Sequence, residues 1–83
     1  MSMNGVELTV FGHVHGVGFR YFIYSHATSL GLTGYVRNNP NGSVFIVAEG
    51  DENDIKQLID LAMQGPARSA VHEKKIKYTT HCG

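Results

Sequence analysis

The hydrophobic period of this chain changes from two to that of a helix across one short glycine-rich segment, and this change fixes how its first elements follow one another. Val6, Leu8, Val10 and Gly12 alternate with Glu7, Thr9 and Phe11, the spacing of a strand with one buried face. Beyond Gly12-His13-Val14-His15-Gly16-Val17-Gly18, residues Phe19, Phe22, Ile23, Ala27 and Leu30 recur at helical spacing, and Gly31 stops that helix. A β-to-α connection is therefore expected, with Arg20 in the first turn of the helix.

The remaining segments follow the same logic. Thr33 to Asn38 and Ser43 to Glu49 read as a hairpin, with Val44, Ile46 and Ala48 on one face of its second strand and Phe45 and Val47 on the other. Apolarity on both faces predicts an interior strand. Asp51 is placed to cap a second helix by accepting from the amide of Asn53 or Asp54, Ile55, Leu58, Ile59 and Ala62 form its buried stripe, and Gly65-Pro66 ends it. Val71 to Tyr78 supplies a fourth strand with Lys74, Lys75 and Lys77 solvated. The order β-α-β-β-α-β predicts an α+β sandwich of ferredoxin-like type, two helices on one face of an antiparallel sheet. Tyr21, Tyr24, Tyr35 and Tyr78, with Phe11, Phe19, Phe22 and Phe45, are expected as core or sheet-face groups rather than a base-stacking platform.

Composition narrows the function classes. The 83 residues fit a single domain, 1–83, with a small core. Seven basic residues balance seven acidic ones, so there is no overall field to draw in nucleic acid or an anionic membrane. Neither a signal segment nor a membrane-spanning apolar run is evident, which makes the cytoplasm the expected location. A lone cysteine, Cys82, excludes an internal disulfide framework and is read as an incidental thiol. Among five histidines, His13 and His15 could project from one side, but two ligands do not make a metal site. His26 reads as a helix-surface or half-buried residue, and His72 and His81 carry no motif.

Residues 12–20 read either as an ordinary tight β-to-α turn, since glycine also serves turns that bind nothing, or as an oxyanion site. Glycine permits positive φ, so successive backbone N–H groups can turn inward around one point, and the N-terminus of the following helix adds its unpaired amides and positive dipole end. Arg20 contributes a forked, permanently charged donor. Within Asn38-Asn39-Pro40-Asn41-Gly42, Asn39 and Asn41 suffice to form the turn, which leaves Asn38 available for other work.

The segments Gly12 to Arg20 and Gly34 to Val44 resemble, in order and spacing, the two signature motifs of the acylphosphatase family, and the likeness extends from about Val6 to Tyr78. The resemblance implies hydrolysis of the carboxyl-phosphate bond of small acyl phosphates, giving a carboxylate and inorganic phosphate without metal or organic cofactor. Arg20 and Asn38 match the family's two catalytic positions. By that match, Arg20 and the amides of His15, Gly16, Val17, Gly18 and Phe19 hold the phosphoryl oxygens, while Asn38 positions the attacking water.

Two departures from the family stand out. Relatives continue past the fourth strand into a short final strand paired with the first, whereas this sequence stops at Gly83, so the final strand is expected to be missing and ladder groups to be exposed to strand exchange. His15 stands where glutamine is common, and its imidazole is expected to bring pH sensitivity if it lies near bound phosphate. The alternative function is a non-catalytic phosphate- or anion-binding module on the same fold. The chain is otherwise expected to act as a monomer.

Overall fold

Val6, Leu8 and Val10 are fully buried and alternate with half-buried Glu7, Thr9 and Phe11 because the strand that carries them has a partner on each flank and a core on one face only. In the computed structural model, which describes residues 3–81, this strand is β1 (Met3–His13). It is followed by α1 (Phe19–Ser29), β2 (Thr33–Asn38), β3 (Val44–Gly50), α2 (Glu52–Gln64) and β4 (Ala70–His81). The expected order β-α-β-β-α-β is the order found. Cys82 lies outside the described residues.

The four strands form one antiparallel sheet in the order β2-β3-β1-β4. As the two-sided apolarity of its sequence predicts, β3 is interior, pairing β2 on one flank and β1 on the other. Val6, Leu8, Val10, Val44, Ile46 and Ala48 from the sheet meet Phe19 and Ile23 of α1 and Ile55, Leu58, Ile59 and Ala62 of α2 in one core. Asp51 caps α2 by accepting from the Asn53 amide at 2.9 Å, and acidic Glu52 and Asp54 in the first turn complement the helix dipole. Helix α1 ends where the Gly31 and Leu32 amides turn back to the Thr28 and Ala27 carbonyls, after which Leu32 drops into the core.

Three expectations need adjustment. The sheet has four strands among the described residues, but β1 does not stand with an open flank. It pairs with β3 from Asn4 to Val10 and with β4 along its whole length, so an unpaired flank begins only past Val10 on the β3 side. Both β1 and β4 are longer than their alternation indicates, because each extends the other's ladder. Tyr21 and Tyr24 are exposed on the side of α1 away from Phe19 and Ile23, and Tyr78 is exposed on edge strand β4. Tyr78, paired with buried Val6 on the helix side, and Tyr35, 6.2 Å from the Phe45 ring on the sheet face opposite the helices, are the sheet-face groups expected. The face opposite the helices is screened by cations: the Arg37 guanidinium sits 4.9 Å above Phe45, and Lys75 sits 5.6 Å from Phe11.

This ranking of core over cap gives a stability prediction. Leu8→Ala is expected to cost about 2–5 kcal/mol, since it removes a fully buried side chain from the centre of the core. Asp51→Ala is expected to cost about 1 kcal/mol. Urea unfolding followed by circular dichroism checks both, and equal shifts of the two midpoints would contradict the ranking.

Candidate functional site

The chain leaves β1 through a bulge. Phe11 pairs with Glu73 but Gly12 pairs with Val71, so His72 is the extra residue on β4. A Cβ at Gly12 would collide with the Ala70 carbonyl oxygen, so this first glycine serves the close approach of two backbones. Gly16 and Gly18 serve a different purpose. Their φ angles are 71° and 77°, and a Cβ on either would meet open space, so they are required for backbone conformation alone.

Between these glycines the loop is anchored from below. Val14 is 2% exposed and Val17 packs against the core, while Phe19, 1% exposed, opens α1. With the side chains of residues 14, 17 and 19 drawn inward, the backbone between them is held at the surface. Among the described residues, no carbonyl or side chain accepts from the amides of His15 to Phe19. The first bond of α1 runs from the Phe22 amide to the Gly18 carbonyl at 3.0 Å, leaving the amides of Phe19, Arg20 and Tyr21 without an intrahelical acceptor. No side chain caps this terminus and no acidic residue stands in its first turn, in contrast with α2.

Arg20 is exposed at the second position of α1, beside these amides, and forms no ion pair among the described residues. Its freedom has a simple origin in the sequence, where no carboxylate side chain occurs between Glu7 and Glu49. Every acidic residue therefore lies outside the loop, α1 and the β2–β3 turn. The end of the sheet that carries the loop combines free N–H groups, a helix dipole and a guanidinium with no competing anion on these segments.

Asn38 reaches the same region through strand register. It pairs with Val44, which in turn pairs with Val10, so Asn38, Val44 and Val10 form one row across β2, β3 and β1. Cross-strand partners share a face, and Val10 and Val44 are both fully buried toward the helices. Asn38 thus lies on the helix side, at the sheet end from which the loop departs, two interstrand spacings or roughly 10 Å from β1. Its side chain makes no hydrogen bond within the chain among the described residues.

The turn itself is built by its neighbours. The Asn41 side-chain oxygen accepts from both the amide and the hydroxyl of Ser43, the Asn39 side-chain amide donates to the Ser43 hydroxyl at 3.0 Å, and the Asn39 backbone amide donates to the Ser43 carbonyl at 2.8 Å. The expected division between turn-forming Asn39 and Asn41 and an unengaged Asn38 is the one observed. Ser43, 1% exposed, is the buried polar centre of this network. Its importance was not foreseen, although Asn-Gly-Ser before an apolar strand carries the signal of an Asn side chain bonding two residues ahead.

His15 provides a link that spacing alone did not reveal. Its Nε2 lies 2.9 Å from the Ser43 carbonyl oxygen, 28 residues away. The imidazole is therefore directed at the hairpin. Among the described residues no group of three or more His, Cys, Asp or Glu side chains gathers as metal ligands, and His13 is exposed. No described helix is long and apolar enough to cross a membrane. An apolar groove between α1 and β2, lined by Ile23, Tyr24, Leu32, Val36 and Leu58 among others, includes none of the expected site residues.

The loop conformation yields a direct test. Gly18→Ala is expected to destabilise the protein by about 1–2 kcal/mol although its Cβ would meet nothing, because the cost lies in the left-handed backbone. Urea denaturation measures it, and an unchanged midpoint would show that the loop relaxes freely.

Comparison with known proteins agrees with this fold. The acylphosphatase family profile matches residues 6–81. An acylphosphatase of Moorella thermoacetica is 46% identical over 78 residues, covering 94% of this chain and 84% of that protein. The crystal structure of acylphosphatase from Bacillus subtilis superimposes with a TM-score of 0.90 at 34% identity, over 92% of this chain and 84% of its own. A structure of full-length HypF in its phosphate- and nucleotide-bound form is similar over 98% of this chain but only 11% of its own, with a TM-score of 0.87 at 30% identity.

Proposed function

This chain belongs to the acylphosphatase family and hydrolyses the carboxyl-phosphate bond of acyl phosphates, and we propose that Arg20 and the amides of His15, Gly16, Val17, Gly18 and Phe19 hold the phosphoryl group while Asn38 orients the attacking water. The observation that carries this reading is the run of unpartnered loop amides, continuous with the uncapped N-terminus of α1 and adjoining an unpaired arginine.

In the reaction, the water oxygen forms a bond to phosphorus as the bond from phosphorus to the acyl oxygen breaks, and the carboxylate departs with that electron pair. Charge spreads over the three equatorial phosphoryl oxygens, where the N–H groups and the guanidinium act. The Asn38 amide accepts from or donates to the water and so fixes its approach, opposite the leaving oxygen. The proton released by water passes to an oxygen of the substrate. A carboxylate is a good leaving group, so positioning and charge stabilisation suffice without a side-chain base, and no metal is required in this scheme. All the named groups come from one chain, so a monomer is sufficient.

Release of phosphate from benzoyl phosphate in the presence of a chelator tests the division of labour. Asn38→Ala is expected to lower kcat by roughly 100-fold or more while competitive inhibition by phosphate stays near its original strength, as for a lost transition-state donor. Arg20→Ala is expected to weaken inhibition and turnover together, by about 2–3 kcal/mol for a charge-assisted contact. Equal loss of phosphate inhibition in both variants would contradict the assignment.

A further inference from the structure

We infer that the His15 side chain is a positioning residue that sets the reach between the phosphate-holding loop and Asn38, by clasping the Ser43 carbonyl at the foot of the β2–β3 hairpin. The inference rests on the assignment of water orientation to Asn38. Loop and hairpin are separate outgrowths of the sheet. The loop is anchored through Val14, Val17 and Phe19, the hairpin through Val44 and buried Ser43. Between their polar parts the described contact is the bond from the half-buried His15 ring to Ser43.

The position of that bond gives it leverage. Ser43 directly precedes Val44, the register partner of Asn38, and its carbonyl also accepts from the amide of Asn39, the residue after Asn38. One oxygen thus receives the loop from one side and the Asn38 strand from the other. A carbonyl only accepts, so His15 Nε2 carries the hydrogen, a condition met by one neutral tautomer and by the imidazolium. The clasp therefore has no need of a particular charge on the ring. Its role is mechanical: displacing a water-orienting group by about an ångström can cost on the order of 100-fold in rate, whereas the loop amides bind phosphate wherever the hairpin stands.

A glutamine can replace the clasp, since its amide nitrogen stands about as far along the side chain as imidazole Nε2. An asparagine carries the same amide one methylene short. His15→Ala is expected to lower kcat about 10-fold, corresponding to loss of a neutral hydrogen bond at the upper end of its usual worth, with phosphate inhibition changed less than about 3-fold. His15→Gln should recover most of that loss and His15→Asn should not. In the Asn38→Ala background, His15→Ala should cost nothing further, because the group it positions is gone.

Kinetics of benzoyl phosphate hydrolysis for the single and double variants decide the matter, with circular dichroism and urea midpoints confirming that each is folded. Parallel loss of kcat and phosphate inhibition in His15→Ala would overturn the inference by placing the histidine on the phosphate side. So would an undiminished loss in the Asn38→Ala background, or failure of glutamine where asparagine succeeds. If Asn38→Ala alone leaves turnover intact, the assignment of Asn38 fails first, and the inference falls with it for that separate reason.

Discussion

The double-sided pairing of β1 is the constraint on which the rest of the structure depends. With β3 on one flank from Asn4 to Val10 and β4 on the other from Met3 to His13, this strand cannot shift without breaking two ladders and turning Val6, Leu8 and Val10 out of the core. Its exit point is thereby fixed, and so is the origin of the loop. A phosphate nest requires several amides to converge on one point, a geometry that a loop on a frayed or edge strand would not hold. Here the bulge at Gly12 and the buried side chains of Val14 and Phe19 transmit the strand's rigidity into residues 15–19.

From that anchor the electrostatics follow from the distribution of residue types. Helix α2 satisfies its N-terminus with Asp51, Glu52 and Asp54, as an ordinary surface helix does. Helix α1 has neither cap nor acid, and the whole sequence from Leu8 to Ala48 has no carboxylate side chain. An uncapped terminus forgoes about 1 kcal/mol of helix stability. The same unspent donors become available to an anion, so a local loss of stability coincides with the capacity to bind. Neutral overall charge is no obstacle, since a small anion responds to the field at one end of the sheet and not to the sum over the molecule.

Much of this could be read in the sequence because the elements are strongly periodic. Alternation at Val6 to Val10, the helical stripe of Ile55, Leu58, Ile59 and Ala62, and the two-sided apolarity of β3 each point to one structure and one place in it. The turn could be read as well, since Pro40 and Gly42 leave little choice and Asn39 and Asn41 have local bonds to make. What escaped was set by tertiary contact. Strand ends at Met3 and His81 depend on the partner ladder, the tyrosines of α1 are exposed because they lie off its buried stripe, and Tyr78, though on the helix side, is exposed because β4 is an edge. The direction of the His15 ring escaped for the same reason, being decided by an oxygen 28 residues away.

The central claim is that the amides of residues 15–19 form the phosphate site. Titration of the 15N-labelled protein with inorganic phosphate, followed amide by amide by NMR, tests it most directly. The account predicts that the largest saturable shifts fall on Gly16, Val17, Gly18 and Phe19 and weaken sharply in Arg20→Ala. Saturable shifts confined to another part of the surface, with these amides unmoved in a protein that still turns over acyl phosphate, would contradict it.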